Sequence, residues 1–195
     1  MSFLIRILLV LCATAAQAQE PPIVVGAAVS QSGMLAALAA DYRKGLAVWQ
    51  DEVNRAGGLL GRRIELRLLD DGSSAVRAGE LYRDMIREGG AELLIGPFGS
   101  AATLMAGAEA ERARRVMING SGASRTVHRR GTRYLFQSAV PNTAYGEGVA
   151  ALSRAAGLRN LFILARDDLT SREMAQATHD AASSAGLDPG EIAIY

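Results

Sequence analysis

The chain has 195 residues, of which 49% are hydrophobic, and its 21 basic and 20 acidic side chains give a formal net charge of +1. This balance excludes the strongly basic surface that nucleic acids and anionic membranes select. One cysteine and two histidines argue against a disulfide framework and a zinc site, and we expect neither metal nor cofactor.

The first eighteen residues have the pattern of a secretory signal peptide. Arg6 precedes an apolar run over 7–11, and Ala16-Gln17-Ala18 is a small-x-small cleavage site. The apolar run is too short to span a membrane. Cys12 suggests a lipid anchor as an alternative, but a leucine stands before it where a small residue is expected. We therefore expect cleavage after Ala18 and export of a mature chain that begins at Gln19 and has no cysteine.

From residue 23 onward, short apolar runs alternate with segments of helical period. The runs predict strands, and apolar residues that recur every three or four positions predict helices. The predicted strands are 23–29, 64–69, 92–96, 116–118 and 134–136, and the helices between them are 39–56, 74–87 and 100–113. In 64–69, Arg and Glu alternate with apolar residues, which favours a strand near the sheet edge. The order of elements predicts a parallel sheet with helices on both faces.

A second α/β series begins near Val140. Its predicted elements are a helix at 141–156, a strand at 161–165, a helix at 171–185 and the start of a strand at 191–195. The chain ends inside that strand, with no closing helix. We therefore expect the second sheet to be incomplete.

Five segments of the mature chain carry a family resemblance when they are taken together. They are IVVGAAVSQSG at 23–33, NRAGGLLGRRIELRLLDD at 54–71, LIGPFGSAAT at 94–103, VMINGSGAS at 116–124 and RYLFQSAVPNTAYG at 133–146. In this order and at this spacing they resemble the Leu/Ile/Val-binding family of type I periplasmic binding proteins. The fifth segment resembles the crossover into the second lobe of that family.

The resemblance implies an α/β fold of two flavodoxin-like lobes with parallel sheets, of which the second is incomplete here, because members are nearly twice as long. It divides the chain into a signal peptide over 1–18, a first ligand-binding lobe over 19–139 and a partial second lobe over 140–195. Members bind small polar solutes between their lobes and carry out no chemistry. The expected function is therefore that of a periplasmic solute-binding component of an ABC transporter, monomeric when complete, with permease subunits of the inner membrane as partners. The implied solute is a small amino acid-like, amide or aromatic-acid molecule.

The loops at the carboxyl ends of the predicted strands are the candidate binding loops. They lie at 30–38, 97–100 and 119–124 and are rich in Gly, Ser and Ala, so a ligand can approach the backbone closely. Ser100 opens a helix, where its hydroxyl and nearby N–H groups suit a carboxylate. A serine in this place is also typical of an ordinary N-cap. The resemblance favours binding, because the matching serine of the family holds the carboxylate of the solute.

Ser121, Gly122 and Ala123 match the second binding loop of the family, where a backbone carbonyl and a threonine hydroxyl hold the ammonium group of the solute. Ala123 stands where the threonine is expected, and Ser121 or Ser124 is the candidate substitute. The missing hydroxyl predicts a carboxylate or amide without an α-amino group, with aromatic acids as the first choice. The alternative is an ordinary Gly-Ser turn.

Leu38 and Phe98 are candidates for an apolar wall, which suits an apolar or aromatic solute; the alternative is that each only packs its own loop. Thr170 stands where a tyrosine of the second lobe is common in the family. Asp70 and Asp71 suggest a catalytic or metal site, but a pair of acids at a strand end before serines more often caps the turn and the helix.

Two other classes of protein share parts of this pattern. A Rossmann-type nucleotide-binding enzyme is suggested by NGSGAS after a strand, but the third glycine is missing and the segment follows the fourth strand. Short-chain dehydrogenases also need a Tyr-x-x-x-Lys pair, and Lys44, the only lysine, has no tyrosine four residues before it. A periplasmic ligand sensor of the same fold, which passes its signal to a partner, stays open as the alternative to transport.

The incomplete second lobe leads to one further expectation. Two strands and two helices bury little apolar surface and leave an open parallel edge. We therefore expect this chain to aggregate, to bind solute weakly, and to leave Ser100 and Ser121 facing water.

Overall fold

The computed structural model describes residues 20–128 and 131–195. The predicted signal peptide over 1–18, with its cleavage site, lies outside the described residues. Among the helices that are described, none has both the length and the apolar character needed to cross a bilayer.

Five parallel strands form the larger sheet, in the order β2-β1-β3-β4-β5. The strands are β1 Ile23–Ala28, β2 Ile64–Leu69, β3 Leu93–Ile95, β4 Met117–Asn119 and β5 Leu135–Gln137. The helices that follow the first four strands are α1 Ala40–Arg55, α2 Ala75–Arg87, α3 Ser100–Ala113 and the short α4 Arg125–His128. The predicted parallel α/β sheet is confirmed, and β2 lies at its edge as the alternation of charged and apolar residues predicts.

A second, two-stranded parallel sheet follows in the chain. Its elements are α5 Thr143–Ala155, β6 Ile163–Ala165, α6 Leu169–Ser184 and β7 Ile192–Ile194. The helices α5 and α6 meet at Gly146, where a Cβ would lie 2.6 Å from the Ala177 backbone. Only glycine therefore allows the two helices to approach so closely.

The main core lies on both faces of β1. On one face Ala28 packs with Met85 of α2 and Met117 of β4, and on the other Val25 packs on the side of α1. This burial on both sides explains why the strand is nearly all apolar. The buried face of α3 consists of small residues at intervals of four, among them Ala106, which lets α2 and α3 pack closely against the sheet.

Two features of the fold differ from the sequence prediction. The helix predicted at 171–185 begins earlier, at Leu169, because the Asp168 side chain accepts a hydrogen bond from the Ser171 N–H at 2.9 Å and caps it there. The four-residue helix α4 is missed, since one turn is too short to show a helical period.

Candidate functional site

A cleft of about 290 Å³ opens at the carboxyl edge of the five-stranded sheet. In open parallel sheets this edge is where ligands bind. The cleft has a first wall, built by the loops that follow β1, β2, β3 and β4, and a second wall, built by residues 166–171, which are the loop after β6 and the first turn of α6. Five of the predicted site residues line it, namely Leu38, Phe98, Ser100, Ser121 and Thr170.

The first turn of α3 faces this cleft. The N-cap position is Gly99, with φ +90, and no side chain of the described residues caps the helix there. Ser100 is therefore the first helical residue and not the N-cap, which corrects the alternative interpretation of this serine. The N–H groups of a first helical turn have no partner within the helix, and they attract negative charge. This end of the cleft is suited to a carboxylate.

The hydroxyl of Ser100 lies at the junction of the two walls. It accepts hydrogen bonds from the Ser124 N–H and from the Thr170 hydroxyl, each at 3.1 Å. Ser100 is only 3% exposed. The expectation that Ser100 faces water is therefore wrong, because its side chain is buried between Ser124 and Thr170.

The loop after β4 divides into a part on the cleft and a part behind it. Ser121 lines the cleft, and its hydroxyl accepts a hydrogen bond from the Gly99 N–H at 3.1 Å. Gly122 is buried, and a Cβ there would lie 2.7 Å from the Cβ of Thr103. Ala123 and Ser124 are also buried, and neither is among the residues that line the cleft. That Gly122, Ala123 and Ser124 take part in binding stays a prediction.

An amide network holds that loop in place. The Asn119 side chain donates to the Gly122 carbonyl at 2.7 Å and accepts from the Gly122 N–H at 3.1 Å. The Gln137 side chain donates to the same carbonyl at 2.8 Å. The Gly122 carbonyl is thus occupied by bonds within the protein, which a sequence pattern does not reveal.

The apolar part of the cleft comes from Phe98, with Leu38 at the rim. The Phe98 ring packs on Tyr42 of α1, with centroids 6.2 Å apart and planes at 55°. The Tyr42 hydroxyl donates to the Gly96 carbonyl at 3.0 Å, and burial raises the pKa of this phenol to about 12. Leu38 is 62% exposed. Phe98 is therefore held firmly, with Tyr42 as a supporting residue that the sequence analysis does not single out.

The turn after β2 is held by Asp70. Its carboxylate accepts hydrogen bonds from the Ser32 hydroxyl at 2.7 Å, the Gln31 N–H at 2.7 Å and the Gly72 N–H at 2.9 Å. The Ser32 bond, followed by these backbone bonds, holds the pKa of Asp70 well below its ordinary value. The interpretation of this acid as a turn cap is confirmed. It fastens the loop after β1 onto the loop after β2.

Asp71, which lines the cleft, differs from its neighbour. It is 1% exposed, and its Oδ1 accepts from the Ser30 hydroxyl at 2.6 Å and from the Ser73 N–H at 2.8 Å. Its Oδ2 is buried and has no hydrogen-bond partner among the described residues. Within the same residues, no group of three His, Cys, Asp or Glu side chains is placed to hold a metal ion.

The second wall carries an ion pair next to the cleft. The Asp168 carboxylate accepts from Arg166 Nε at 2.6 Å and from the Ser171 hydroxyl at 2.8 Å. Burial opposes the ionisation of Asp168, but the bonds from Ser171 and Arg166 outweigh it and keep the pKa below its ordinary value. Both carboxylate oxygens of Asp168 are thus engaged within the wall.

Glu173 of α6 joins the second sheet to the first. Its carboxylate accepts from the Ser124 hydroxyl at 2.7 Å, the Arg125 N–H at 3.0 Å and the Thr126 hydroxyl at 3.2 Å. It therefore caps the N-terminus of α4 from another part of the chain. We refer to this group as the Glu173 clasp. No local pattern indicates it, because the partners are 47 to 49 residues away in the sequence.

Comparison with known proteins gives a family and a fold. The model of a family described as periplasmic binding protein matches residues 22–193. Among solved structures, the substrate-binding protein of a branched-chain amino-acid transporter from Streptococcus pneumoniae, in complex with isoleucine, superposes with a TM-score of 0.81 at 22% identity. That match covers 89% of this chain and 49% of the other.

Two solute-binding proteins of ABC transporters from Rhodopseudomonas palustris are also similar. One, in complex with benzoate, has a TM-score of 0.80 at 22% identity and covers 89% of this chain and 48% of that one. The other, in complex with 3,4-dihydroxybenzoic acid, has a TM-score of 0.80 at 16% identity and covers 89% and 47%. The chain spans about half the length of these structures. The resemblance and the α/β fold of a type I lobe are confirmed.

Proposed function

Because the chain belongs to the periplasmic binding protein family, we propose that it captures a small carboxylate in the cleft between its two walls. The observation that carries this proposal is the first turn of α3, which presents N–H groups and the Ser100 hydroxyl to the cleft without a capping side chain from the described residues. A helix N-terminus in a partly closed cleft favours an anion. Ser100 and Ser121 are the side chains that we assign to the carboxylate.

The remaining surface of the cleft favours an apolar or aromatic body for that acid. Phe98 packs on Tyr42, and Leu38 lies at the open side. The Gly122 carbonyl is occupied by Asn119 and Gln137, and Ala123, behind the wall, has no hydroxyl, so we infer a solute without an α-amino group, with aromatic acids first and amides next. Thr170 closes the cleft from the second wall. The similar proteins that hold benzoate and dihydroxybenzoate support this choice.

The setting of this function follows from the family and the N-terminal pattern. We propose export with cleavage after Ala18, residence in the periplasm, and delivery of the solute to permease subunits of an ABC transporter in the inner membrane. Residues 19–139 are assigned to a first lobe and residues 140–195 to part of a second. The protein acts by binding and release, without chemical conversion of the solute.

Calorimetric titration of the purified chain tests the proposal. Benzoate is the test solute, benzyl alcohol is the matched control without charge, and isoleucine represents the α-amino acids. We expect the binding constant to be largest for benzoate. Equal binding of benzoate and benzyl alcohol would contradict anion capture at α3, and tighter binding of isoleucine would contradict the assigned solute class.

A further inference from the structure

One carboxylate oxygen in the cleft wall is left without a hydrogen-bond donor. Asp71 is 1% exposed, and its Oδ1 is engaged by Ser30 and Ser73, whereas Oδ2 has no partner among the described residues. A buried acceptor without a donor costs free energy, and in native proteins such a group is rare and calls for an explanation. Because Asp71 lines the cleft, we consider a donor group of a molecule that enters the cleft.

The other acidic groups at this end of the sheet do not share this feature. Asp70 uses both carboxylate oxygens for the turn, and Asp168 uses both for Ser171 and Arg166. The Ser73 hydroxyl, beside Asp71, accepts from the Leu35 N–H at 3.0 Å and donates to the Ser32 carbonyl at 2.8 Å. Asp71 is therefore the cleft-lining carboxylate, among the described residues, with an oxygen to spare.

We propose that Asp71 Oδ2 accepts a hydrogen bond from a donor group of the solute, and that the solute is an acid with a hydroxyl or amino group at the end far from its carboxylate. The proposal rests on the anion capture at α3 proposed above. It adds a second, specificity-determining contact at the opposite end of the cleft. The solute supplies the donor that this oxygen lacks among the described residues.

The sheet topology sets the separation between the two contacts. Asp71 follows β2 and α3 follows β3, and β1 lies between these strands. Two strand spacings amount to about 10 Å. If the carboxylate of an α-amino acid is bound at α3, its amino group lies too close to α3 to reach Asp71. A hydroxyl on the opposite side of an aromatic ring lies far enough from the carboxylate to do so. Phe98 lines the cleft, where the ring of such a solute would lie.

The experiment compares benzoate, 4-hydroxybenzoate and 4-methoxybenzoate by calorimetric titration of the purified chain. The hydroxyl donates a hydrogen bond, whereas the methoxy group occupies the same position and only accepts. We expect 4-hydroxybenzoate to bind about tenfold more tightly than either of the others, as for a hydrogen bond to a charged group. This comparison requires no substitution in the protein and so does not depend on the folding of a variant.

Asp71→Asn then tests the residue itself. Asparagine retains an acceptor for Ser30 and Ser73 but places a donor where Oδ2 stood, so the preference for 4-hydroxybenzoate over 4-methoxybenzoate should disappear. Asp51→Asn, which removes an exposed carboxylate on α1, is the matched control and should keep the preference. Circular dichroism of both variants verifies that they are folded.

The outcomes separate this inference from the proposed function. Binding of all three benzoates with equal affinity would overturn the role of Asp71 and leave anion capture intact. A hydroxyl preference that survives Asp71→Asn in a folded variant would also overturn it. Absence of binding for all three acids would overturn both the proposed function and the Asp71 contact.

Discussion

The two walls of the cleft are held in place in different ways. The first wall is fixed by buried bonds of one sheet and its loops, such as those between Asn119 and Gly122 and from the Ser30 hydroxyl to Asp71. The second wall meets the first through the Thr170–Ser100 hydrogen bond and the Glu173 clasp. The first wall is therefore preorganised for a ligand. The second wall is held by a few exposed or half-buried bonds, which can exchange with water more easily than the buried bonds of the first.

The largest expected effect comes from breaking the network of the first wall. Asn119→Ala leaves the N–H groups of Ser121 and Gly122 and the hydroxyl of Thr103 without this buried partner. We expect the free energy of unfolding to fall by about 3 kcal/mol, because several buried polar groups lose a bond at once. Urea denaturation measures it. The control is Asn160→Ala at an exposed position in the second sheet region, with a change within about 0.5 kcal/mol. Similar losses in both variants would show that the loss does not come from the buried network of Asn119.

The next effect concerns the junction of the walls. Ser100→Ala removes the hydroxyl that accepts from Ser124 and Thr170 and that we assign to the carboxylate of the solute. We expect binding of benzoate to weaken by about 1.5–3 kcal/mol, as for a hydrogen bond to a charged group. Calorimetric titration with benzoate measures this change in Ser100→Ala and in the control Ser183→Ala, which alters an exposed serine on α6. An unchanged binding constant would reduce Ser100 to a packing residue of the helix start.

Ser100 and Asn119 show what a sequence can and cannot predict. The place of Ser100 at the start of a helix after a strand follows from hydrophobic period and order, which are local properties. The edge position of β2 follows from its alternating charges in the same way. The hydrogen-bond network of Asn119 cannot be predicted in this way, because the sequence around an asparagine at a strand end is the same whether its amide faces solvent or a buried loop.

Long-range contacts explain the other features that sequence analysis missed. Glu173 lies on a helix whose period places it near the second sheet, yet its partners are on α4. The division of roles between Asp70 and Asp71 depends on which oxygen the loop after β1 can reach. Such pairings are decided by how the folded elements approach each other, which neither propensity nor spacing encodes.

A smaller effect is expected from the second wall. Glu173→Ala removes the carboxylate that caps α4, and we expect the free energy of unfolding to fall by about 1 kcal/mol, as for the loss of an N-cap. Benzoate binding should weaken at the same time, because the second wall is less firmly held. Gln176→Ala, one turn further along α6, is the matched control, since the Gln176 side chain donates to Asp180 on the same helix and has no other hydrogen bond among the described residues. Weakened binding in the control would show that the helix, and not the clasp, is responsible.

The smallest expected effect is a difference between the two walls in how acid affects them. Hydrogen bonds lower the pKa of Asp70 in the first wall and of Asp168 in the second, and Asp70 is lowered further. A carboxyl with a lowered pKa binds fewer protons in the folded state than in the unfolded chain. Its contribution is therefore fully present above the ordinary pKa of about 4 and is lost as the pH falls through the folded-state pKa. Asp168 should take up its proton first, so that acid loosens the second wall before the first.

Urea denaturation between about pH 5 and pH 3 tests this order, since that range spans the ordinary pKa of aspartate. We expect the stability of the chain to decline with acid, and the decline to be reduced more in Asp70→Asn than in Asp168→Asn, because the carboxyl whose pKa is lowered further binds fewer protons in the folded state. In each variant the asparagine side chain does not titrate, but its oxygen still accepts hydrogen bonds. A profile in which Asp168→Asn removes the larger part of the decline would mean that Asp70 takes up its proton first in the folded chain, and the contrast between a preorganised and a releasable wall would fail.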